Sequence, residues 1–238
     1  MAYLLITFGI SCQKTKLNRM TFKGCLFDLD GVIVDTASHH FVAWRTLADE
    51  LGVPFDESDN EKLKGVSRVD SLEFILQKGN LVLDSNTKLR LMEKKNAHYL
   101  GLAAQIQPSD ALPGIVALIE ELKVLGVKIG LGSSSKNAEQ ILSKLGLLDA
   151  FDTIVDGNHL TLSKPDPEVF LMGANALGLR PEECLVLEDA SAGVQAAISG
   201  GFCVLGIGRK EELGQADAVV SGLGDLNWSE IQNLLTHK

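Results

Sequence analysis

Two aspartates, Asp28 and Asp30, follow a short, largely apolar run over residues 22–27. The run predicts a buried β-strand, and Gly31 then allows the chain to turn tightly. Side chains two positions apart on a strand point to the same face, so we expect both carboxylates to lie together at the strand's end. Two carboxylates held this close repel each other. The pair therefore predicts a bound cation, a proton held between the acids, or both.

Three further groups of polar residues follow predicted strands. Residues 132–137 combine hydroxyls with backbone amides at a predicted helix start, which is typical either of an anion site or of a simple serine cap. Residues 163–167 place Lys164 in a turn before a helix, either as a phosphate-binding cation or as an ordinary solvated lysine. Glu188 and Asp189 directly follow an apolar run, where adjacent acids are uncommon as surface decoration.

Together, these four groups indicate phosphoryl transfer. Converging carboxylate oxygens suit Mg²⁺, a hard cation that prefers oxygen ligands. One lysine and one hydroxyl can then hold the oxygens of a transferring phosphoryl group, so that positioning and charge neutralisation lower the barrier. A carboxylate is a poor nucleophile toward a phosphate dianion unless this charge is screened, so metal, lysine and hydroxyl belong to one mechanism.

The elements that must position these groups are a first strand at 22–27 and a regular series of strands and helices after residue 108. The later predicted strands lie at 127–131, 153–155, 185–187, 202–205 and 218–220. Predicted helices between and after them lie at 113–125, 135–145, 168–177, 190–199 and 228–235. Strands that alternate with helices imply crossover connections and a parallel sheet. In such a sheet, ligands bind at the carboxyl ends of the strands, where the four polar groups lie.

The segment between the first and second strands contains only helical patterns. Apolar residues recur at helical spacing over 36–51, 67–79 and 86–106, with Ser67 as the predicted cap of the second helix. The sequence therefore predicts an α/β fold, in which a Rossmann-like open parallel sheet core carries an inserted helical cap domain. We assign residues 20–35 and 109–238 to the core and residues 36–108 to the cap.

The composition excludes several classes of function. The 238 residues include 22 Lys plus Arg against 31 Asp plus Glu, a formal charge of −9, which argues against general binding to nucleic acids or to anionic membranes. The four cysteines are scattered, which favours reduced thiols in a cytoplasmic protein.

Residues 1–19 do not share the pattern that follows. Their apolar stretch over 2–10 is too short to span a bilayer. We expect a disordered or misannotated extension, with Met20 as a natural start; a lipoprotein signal is the alternative.

The ordered set of motifs resembles the haloacid dehalogenase superfamily and, within it, the beta-phosphoglucomutase family. The resemblance covers nearly the whole chain from Met20 on, and its motifs are Phe27–Ala37, His40–Trp44, Lys64–Arg68, Ser133, Ser135–Asn137, Ser163–Pro165 and Glu188–Asp189. The sequence departs from the family pattern at Val34, where threonine is often seen, and at Ser134, where alanine is common. Neither departure contradicts a catalytic role.

The resemblance implies specific roles for the core residues. Asp28 would be the nucleophile that forms an aspartyl-phosphate, and Asp30 would be the general acid/base toward a sugar hydroxyl. Ser133 and Lys164 would hold the transferring phosphate. A Mg²⁺ cofactor would be bound by Asp28, the main-chain carbonyl of Asp30, Glu188 and Asp189.

The resemblance also implies a substrate site between core and cap. Arg68, with Ser135 and Asn137, would hold the phosphate that is not transferred. The full set of implied substrate-binding residues is His40, Trp44, Lys64, Gly65, Val66, Ser67, Arg68, Ser135, Lys136 and Asn137. His40 and Trp44 lie one helical turn apart, so they share a face; Trp44 is either part of the cap's own core or a platform for the sugar.

Three functions remain open at this point. The first is an isomerase that interconverts beta-D-glucose 1-phosphate and glucose 6-phosphate through a bisphosphate. The second is a Mg²⁺-dependent phosphatase of small sugar phosphates, because both reactions pass through an aspartyl-phosphate. The third is a catalytically silent sugar-phosphate sensor, against which the intact pair Asp28 and Asp30 argues. The expected partner is a small sugar phosphate, and the expected state is a monomer.

Overall fold

A computed structural model describes residues 22–236 and contains one sheet of six parallel strands. The strands are β1 (Gly24–Phe27), β2 (Lys128–Gly132), β3 (Thr153–Val155), β4 (Cys184–Glu188), β5 (Cys203–Ile207) and β6 (Ala218–Val220). Their order in the sheet is β3-β2-β1-β4-β5-β6, which is the order of a Rossmann-like sheet. The predicted α/β fold class is confirmed.

Helices cover both faces of this sheet. In the core they are α5 (Ile115–Val124), α6 (Ala138–Lys144), α7 (Glu168–Leu177), α8 (Ser191–Ser199), α9 (Lys210–Leu213) and α10 (Trp228–Thr236); α1 to α4 precede them in the chain and are given below. Short 3₁₀ helices lie at Pro108–Asp110, Leu148–Ala150 and Pro181–Glu183.

Strand β1 shows how the sheet separates two hydrophobic layers. Cys25 and Phe27 point into the layer that includes α5, α6 and α10, whereas Leu26 points into the opposite layer with α7 and α8. This alternation follows from the two-residue period of a strand, and burial on both faces explains why β1 is apolar throughout. The strand is thus fixed on both sides, and the residues that follow it start from a rigid position.

Four helices lie between β1 and β2, in the segment predicted as the cap: α1 (Ala37–Glu50), α2 (Glu57–Glu61), α3 (Arg68–Lys78) and α4 (Ser85–Ala103). They enclose a hydrophobic cluster of their own that includes Trp44, Leu72 and Ile75. The two connections to the sheet run side by side, since Val34 pairs with Ala111 and the Leu112 amide donates to the Ile33 carbonyl at 2.8 Å.

Several predicted boundaries were wrong. Helix α6 begins at Ala138 and not at Ser135, because the Ser135 hydroxyl accepts the Asn137 amide at 3.2 Å and keeps the preceding residues in a loop. The predicted helix over 86–106 ends at Ala103. The five-residue helix α2, capped reciprocally by Asp56 and Asp59, was missed because it is too short for a visible period.

The predicted cap of α3 was correct. Ser67 caps α3 by accepting the Asp70 amide at 3.1 Å. Within residues 22–236, no helix is both long and apolar enough to cross a bilayer. The predictions for residues 1–19 and Met20 lie outside the described residues.

Candidate active site

The candidate site lies at the carboxyl edge of the sheet, where β1 sits between β2 and β4. The Asp28 amide donates to the Leu187 carbonyl of β4 at 3.0 Å, so Asp28 directly extends the strand pairing. On the other side, the Ser133 amide after β2 donates to the Val155 carbonyl of β3, also at 3.0 Å. The main chain therefore fixes the positions of Asp28, Ser133, Glu188 and Asp189 before any side-chain contact is made. This edge is where the strand order reverses, the usual ligand-binding position in such sheets.

Three acids meet at this edge. Carboxylate oxygens of Asp28, Glu188 and Asp189 lie within 4.8 Å of one another. Burial and the Asp28 charge, opposed in part by Lys164, together raise the pKa of Glu188 to about 7. Burial, Glu188 and Asp28 also raise the pKa of Asp189 well above its usual value. These oxygen donors are crowded and buried, and their negative charge is only partly compensated. A divalent cation would therefore stabilise them.

Two glycines make room for these acids. A Cβ atom on Gly31, which has φ +78°, would lie 2.1 Å from Oδ2 of Asp189. A Cβ atom on Gly193, in the first turn of α8, would lie 2.1 Å from the carboxyl carbon of Glu188. Any larger residue would displace one of the acids. The donor set and this close backbone packing therefore fit a divalent metal ion.

Replacing Gly193 with alanine is expected to weaken divalent cation binding by about 10- to 100-fold, since the new methyl group must move the Glu188 carboxylate. Isothermal titration calorimetry with Mg²⁺ measures this directly. The matched control is Gly101→Ala in α4, where an added Cβ meets no atom within 4 Å. An unchanged affinity in Gly193→Ala would contradict the assignment of Glu188 to the cation site.

Lys164 lies beneath the acids and is completely buried. Its Nζ contacts Asp28 Oδ1 at 2.5 Å and Glu188 Oε2 at 2.8 Å, and it also lies 4.8 Å from the centre of the Phe170 ring. Burial alone would lower the pKa of Lys164, but the charges of Asp28 and Glu188 outweigh burial and raise it. The lysine is therefore a fixed cation beside Asp28, and the solvated alternative is wrong.

Asp30 lies on the cap side of Asp28. Its Oδ1 accepts a hydrogen bond from the Thr36 hydroxyl, just before α1. Burial and the neighbouring Asp28 charge raise the pKa of Asp30 to about 6, while Thr36, Lys164 and Lys95 oppose the rise. A carboxyl group with this pKa can hold or release a proton near neutral pH.

A cationic cluster from the cap faces Asp30, and its centre, Lys95, was not among the predicted site residues. Lys95 Nζ lies 2.9 Å from His40 Nδ1, 4.5 Å from the Trp44 ring centre and 5.1 Å from the Tyr99 ring centre. Burial and the Arg68 charge, opposed in part by Asp30, together lower the pKa of Lys95 to about 7. One signal was available: Lys95 interrupts the helical stripe of Leu89, Met92, Tyr99 and Ala103.

His40 and Trp44 share one face of α1, as predicted. Burial and the Lys95 charge lower the pKa of His40 well below its usual value, so the imidazole is neutral beside the lysine. Trp44 is only 2% exposed and belongs to the cap's hydrophobic cluster. Trp44 is therefore interpreted as part of the cap's own core, with one face of its ring toward Lys95.

The segment Ser133–Asn137 forms a compact loop after β2. The Ser135 amide donates to the Ser133 hydroxyl oxygen at 3.1 Å, and Ser133 itself is buried. Asn137 Nδ2 donates to Asn96 Oδ1 of α4 at 2.9 Å, and Lys136 is exposed. The loop thus presents hydroxyls and amides to the site and also contacts the cap.

The turn Lys64–Arg68 leads into α3 and faces the acids from the cap. Lys64 Nζ lies 2.9 Å from Glu61 Oε2 and 4.0 Å from Asp189 Oδ2. Burial lowers the pKa of Arg68, although a guanidinium remains charged at neutral pH. Gly65 adopts φ +71°, which lets the turn approach the core closely.

Core and cap enclose a cleft of about 910 Å³. Of the residues predicted for the site, the structure brings to this cleft Asp28, Asp30, His40, Trp44, Lys64, Gly65, Val66, Ser67, Arg68, Ser133, Ser135, Lys136, Asn137 and Asp189. Lys164 and Glu188 do not line it, since they lie behind Asp28. Lys95 and Asn96 also line the cleft and were not predicted.

The sheet edge combines three clustered acids, a buried lysine and a further acid, Asp30, whose pKa is raised to about 6. These are the kinds of group that a phosphoryl-transfer enzyme uses. Residues 22–201 match the family model described as haloacid dehalogenase-like hydrolase, and the chain belongs to this family.

Within the family, the chain is similar to a beta-phosphoglucomutase of Bacillus subtilis (strain 168), with 45% identity over 86% of this chain and 91% of that protein. It is also similar to a solved beta-phosphoglucomutase structure from Clostridium difficile. That structure has a TM-score of 0.88 and 42% identity, over 90% of this chain and 97% of the other. A fructose-1-phosphate phosphatase of Escherichia coli (strain K12) is 33% identical over 76% of this chain and 94% of its own length.

Proposed function

We propose that this enzyme is a beta-phosphoglucomutase, which interconverts beta-D-glucose 1-phosphate and glucose 6-phosphate through an aspartyl-phosphate and a glucose 1,6-bisphosphate. The observation that carries the proposal is that one cleft has an anion-binding group on each wall. Ser133 lines the core side, where Lys164 contacts Asp28 from behind, and Arg68 lines the cap side. A bisphosphorylated sugar needs two such groups, whereas a monophosphate needs one.

Asp28 is proposed as the nucleophile. Its Oδ1 lies 2.5 Å from Lys164 Nζ, which places a cation beside any phosphoryl group bound there. In the phosphorylated enzyme, the sugar's C6 hydroxyl attacks the phosphorus, and the bond from phosphorus to Asp28 breaks. After the bisphosphate has turned round, Asp28 attacks its C1 phosphoryl group and glucose 6-phosphate leaves.

Asp30 is proposed as the general acid/base. It takes the proton of the attacking C6 hydroxyl in the first transfer and returns a proton to the C1 oxygen in the second. A pKa of about 6 suits both directions near neutral pH. The hydrogen bond from the Thr36 hydroxyl holds the Asp30 carboxyl group in place between the two transfers.

The metal is proposed to be Mg²⁺, held by Asp28, Glu188, Asp189 and the main-chain carbonyl of Asp30. Oxygen donors alone make up this set, which favours Mg²⁺ over softer metals. When bound, the ion would supply positive charge against the transferring phosphoryl oxygens.

The substrate contacts are proposed from the residues that line the cleft and from Lys164 behind Asp28. Ser133 and Lys164 hold the transferring phosphoryl group, and Arg68 holds the other phosphate with Ser135 and Asn137. The remaining proposed contacts are His40, Lys64, Gly65, Val66, Ser67 and Lys136, and Trp44 acts indirectly, through the position of Lys95.

We also propose the division into a core (20–35 and 109–238) and a cap (36–108), and a monomeric, cytoplasmic enzyme. The cap helices have a hydrophobic cluster of their own, and all proposed site residues come from one chain. Buried thiols at Cys25 and Cys184 suit a reducing compartment. Size-exclusion chromatography with light scattering tests the monomer.

An assay with Mg²⁺, beta-glucose 1-phosphate and a catalytic amount of the bisphosphate tests the function. We expect glucose 6-phosphate as the main product. Release of free phosphate as the main product would instead identify a sugar phosphatase, the alternative that the Escherichia coli relative supports. Absence of both products would identify a sensor and overturn the proposed catalysis.

Replacing Arg68 with alanine is expected to shift the products from glucose 6-phosphate toward free phosphate. The cap then loses its cation for the second phosphate, so the bisphosphate leaves more often and water reaches the phosphoenzyme. The measurement is the ratio of isomer to free phosphate. Arg90→Ala on the exposed side of α4 is the matched control. An unchanged ratio in Arg68→Ala would count against the role of Arg68.

A further inference from the structure

The loop after β2 makes a direct hydrogen bond to the cap through Ser134. The Ser134 hydroxyl donates to the main-chain carbonyl of Gly65 at 2.9 Å. Its two neighbours, Ser133 and Ser135, belong to the proposed phosphate site. One short loop therefore contacts both the substrate position and the cap.

The core holds Ser134 rigidly. The amide of Ser133 donates to Val155 at 3.0 Å, and the amide of Gly157 donates to Ser135 at 3.1 Å. A Cβ atom on Gly157 would lie 2.4 Å from the Ser134 carbonyl oxygen, so the two segments are in close backbone contact. The hydroxyl of Ser134 thus projects from a fixed main chain.

The acceptor of this hydrogen bond, the Gly65 carbonyl, also lies at a defined place in the structure. Gly65 lies in the cap turn, and a Cβ atom added to it would lie 3.7 Å from Cδ of Lys164 and 3.4 Å from Cβ of Ala190. The cap turn therefore lies close to the lysine beside Asp28. The hydrogen bond from Ser134 holds the turn at this point, near the lysine that contacts Asp28.

We propose that Ser134 is a positioning residue that keeps the cap closed over the phosphorylated enzyme and thereby sets the ratio of isomerisation to hydrolysis. This inference rests on the proposed function. Water attack on the aspartyl-phosphate would form a new P–O bond, break the bond to Asp28 and release inorganic phosphate. Closure excludes the water that this reaction needs.

The same loop also relates the cap to the phosphate site. Because its main chain is fixed, Ser134 holds the cap turn at a set position relative to the phosphoryl group that Ser133 would bind. Loss of the Ser134 hydroxyl should therefore affect the closed enzyme and leave the fold and the chemical groups unchanged.

The experiment compares wild type, Ser134→Ala, Ser134→Thr and the exposed-helix control Ser143→Ala. Each is phosphorylated with acetyl phosphate in the presence of Mg²⁺, and the release of inorganic phosphate from the isolated phosphoenzyme is followed. Removing one hydrogen bond is expected to speed this hydrolysis about two- to tenfold in Ser134→Ala. Ser134→Thr, which retains the hydroxyl, and Ser143→Ala should both keep the wild-type rate, and the melting temperatures should agree.

The outcomes separate this inference from the proposed function. Wild-type hydrolysis in Ser134→Ala, or rapid hydrolysis in Ser134→Thr, would overturn the role of the Ser134 hydroxyl while leaving the mutase intact. A wild-type enzyme that forms no phosphoenzyme and no glucose 6-phosphate would overturn the proposed function itself.

Discussion

Replacing Lys164 with methionine is expected to lower turnover by about 100- to 1000-fold. The same substitution should lower the free energy of unfolding by about 3–5 kcal/mol in the presence of a chelator. Both effects have one cause: Lys164 Nζ is the cation that contacts Asp28 and Glu188 in a completely buried position. Without it, two buried carboxylates lose their ion pair and the phosphoryl group loses a fixed positive charge. Turnover assays and urea unfolding measure the two effects separately.

A double variant distinguishes stability from catalysis. Lys164→Met combined with Glu188→Gln removes one of the two unpaired acids, so part of the lost stability should return while turnover stays low. The matched control is Lys94→Met, whose ammonium is exposed and pairs with Glu50 at 2.5 Å; it should change stability by no more than about 1 kcal/mol. Wild-type stability and turnover in Lys164→Met would show that the buried ion pair has no role.

Replacing Asp30 with alanine is expected to lower turnover by about 100- to 10,000-fold, the usual contribution of a general acid/base. Affinity for Mg²⁺ should change little, because the proposed ligand atom of Asp30 is its main-chain carbonyl. Steady-state kinetics and calorimetry with Mg²⁺ test the two statements on the same preparation. The control Asp49→Ala removes an exposed acid from α1 and should keep wild-type values. Near-wild-type turnover in Asp30→Ala would refute the proposed role.

The core half of the site could be predicted from the sequence because it depends on strand ends. Residues after a buried parallel strand are positioned by main-chain pairing, and this rule brings Asp28, Ser133, Glu188 and Asp189 to one edge. Lys164 was predicted as a candidate, but its burial was not, since the loop after β3 has no periodic pattern that would indicate its path.

The cap half could be predicted only in part. Lys95 contacts His40 and approaches two aromatic rings, contacts that depend on how α1 and α4 pack. A lysine within an apolar stripe signals such packing but does not identify its partners. The bond from Ser134 to Gly65 had no signal at all, because the two residues are 69 positions apart and meet only when the cap lies on the core.

The most direct test of the central claim is the site of phosphorylation. The protein is incubated with Mg²⁺ and the bisphosphate or acetyl phosphate, quenched, digested and mapped by mass spectrometry, with Asp28→Asn as the comparison. We expect one phosphoryl group on the peptide that contains Asp28 and none in Asp28→Asn. Glucose 6-phosphate formation by an enzyme that never carries phosphate on Asp28 would contradict it.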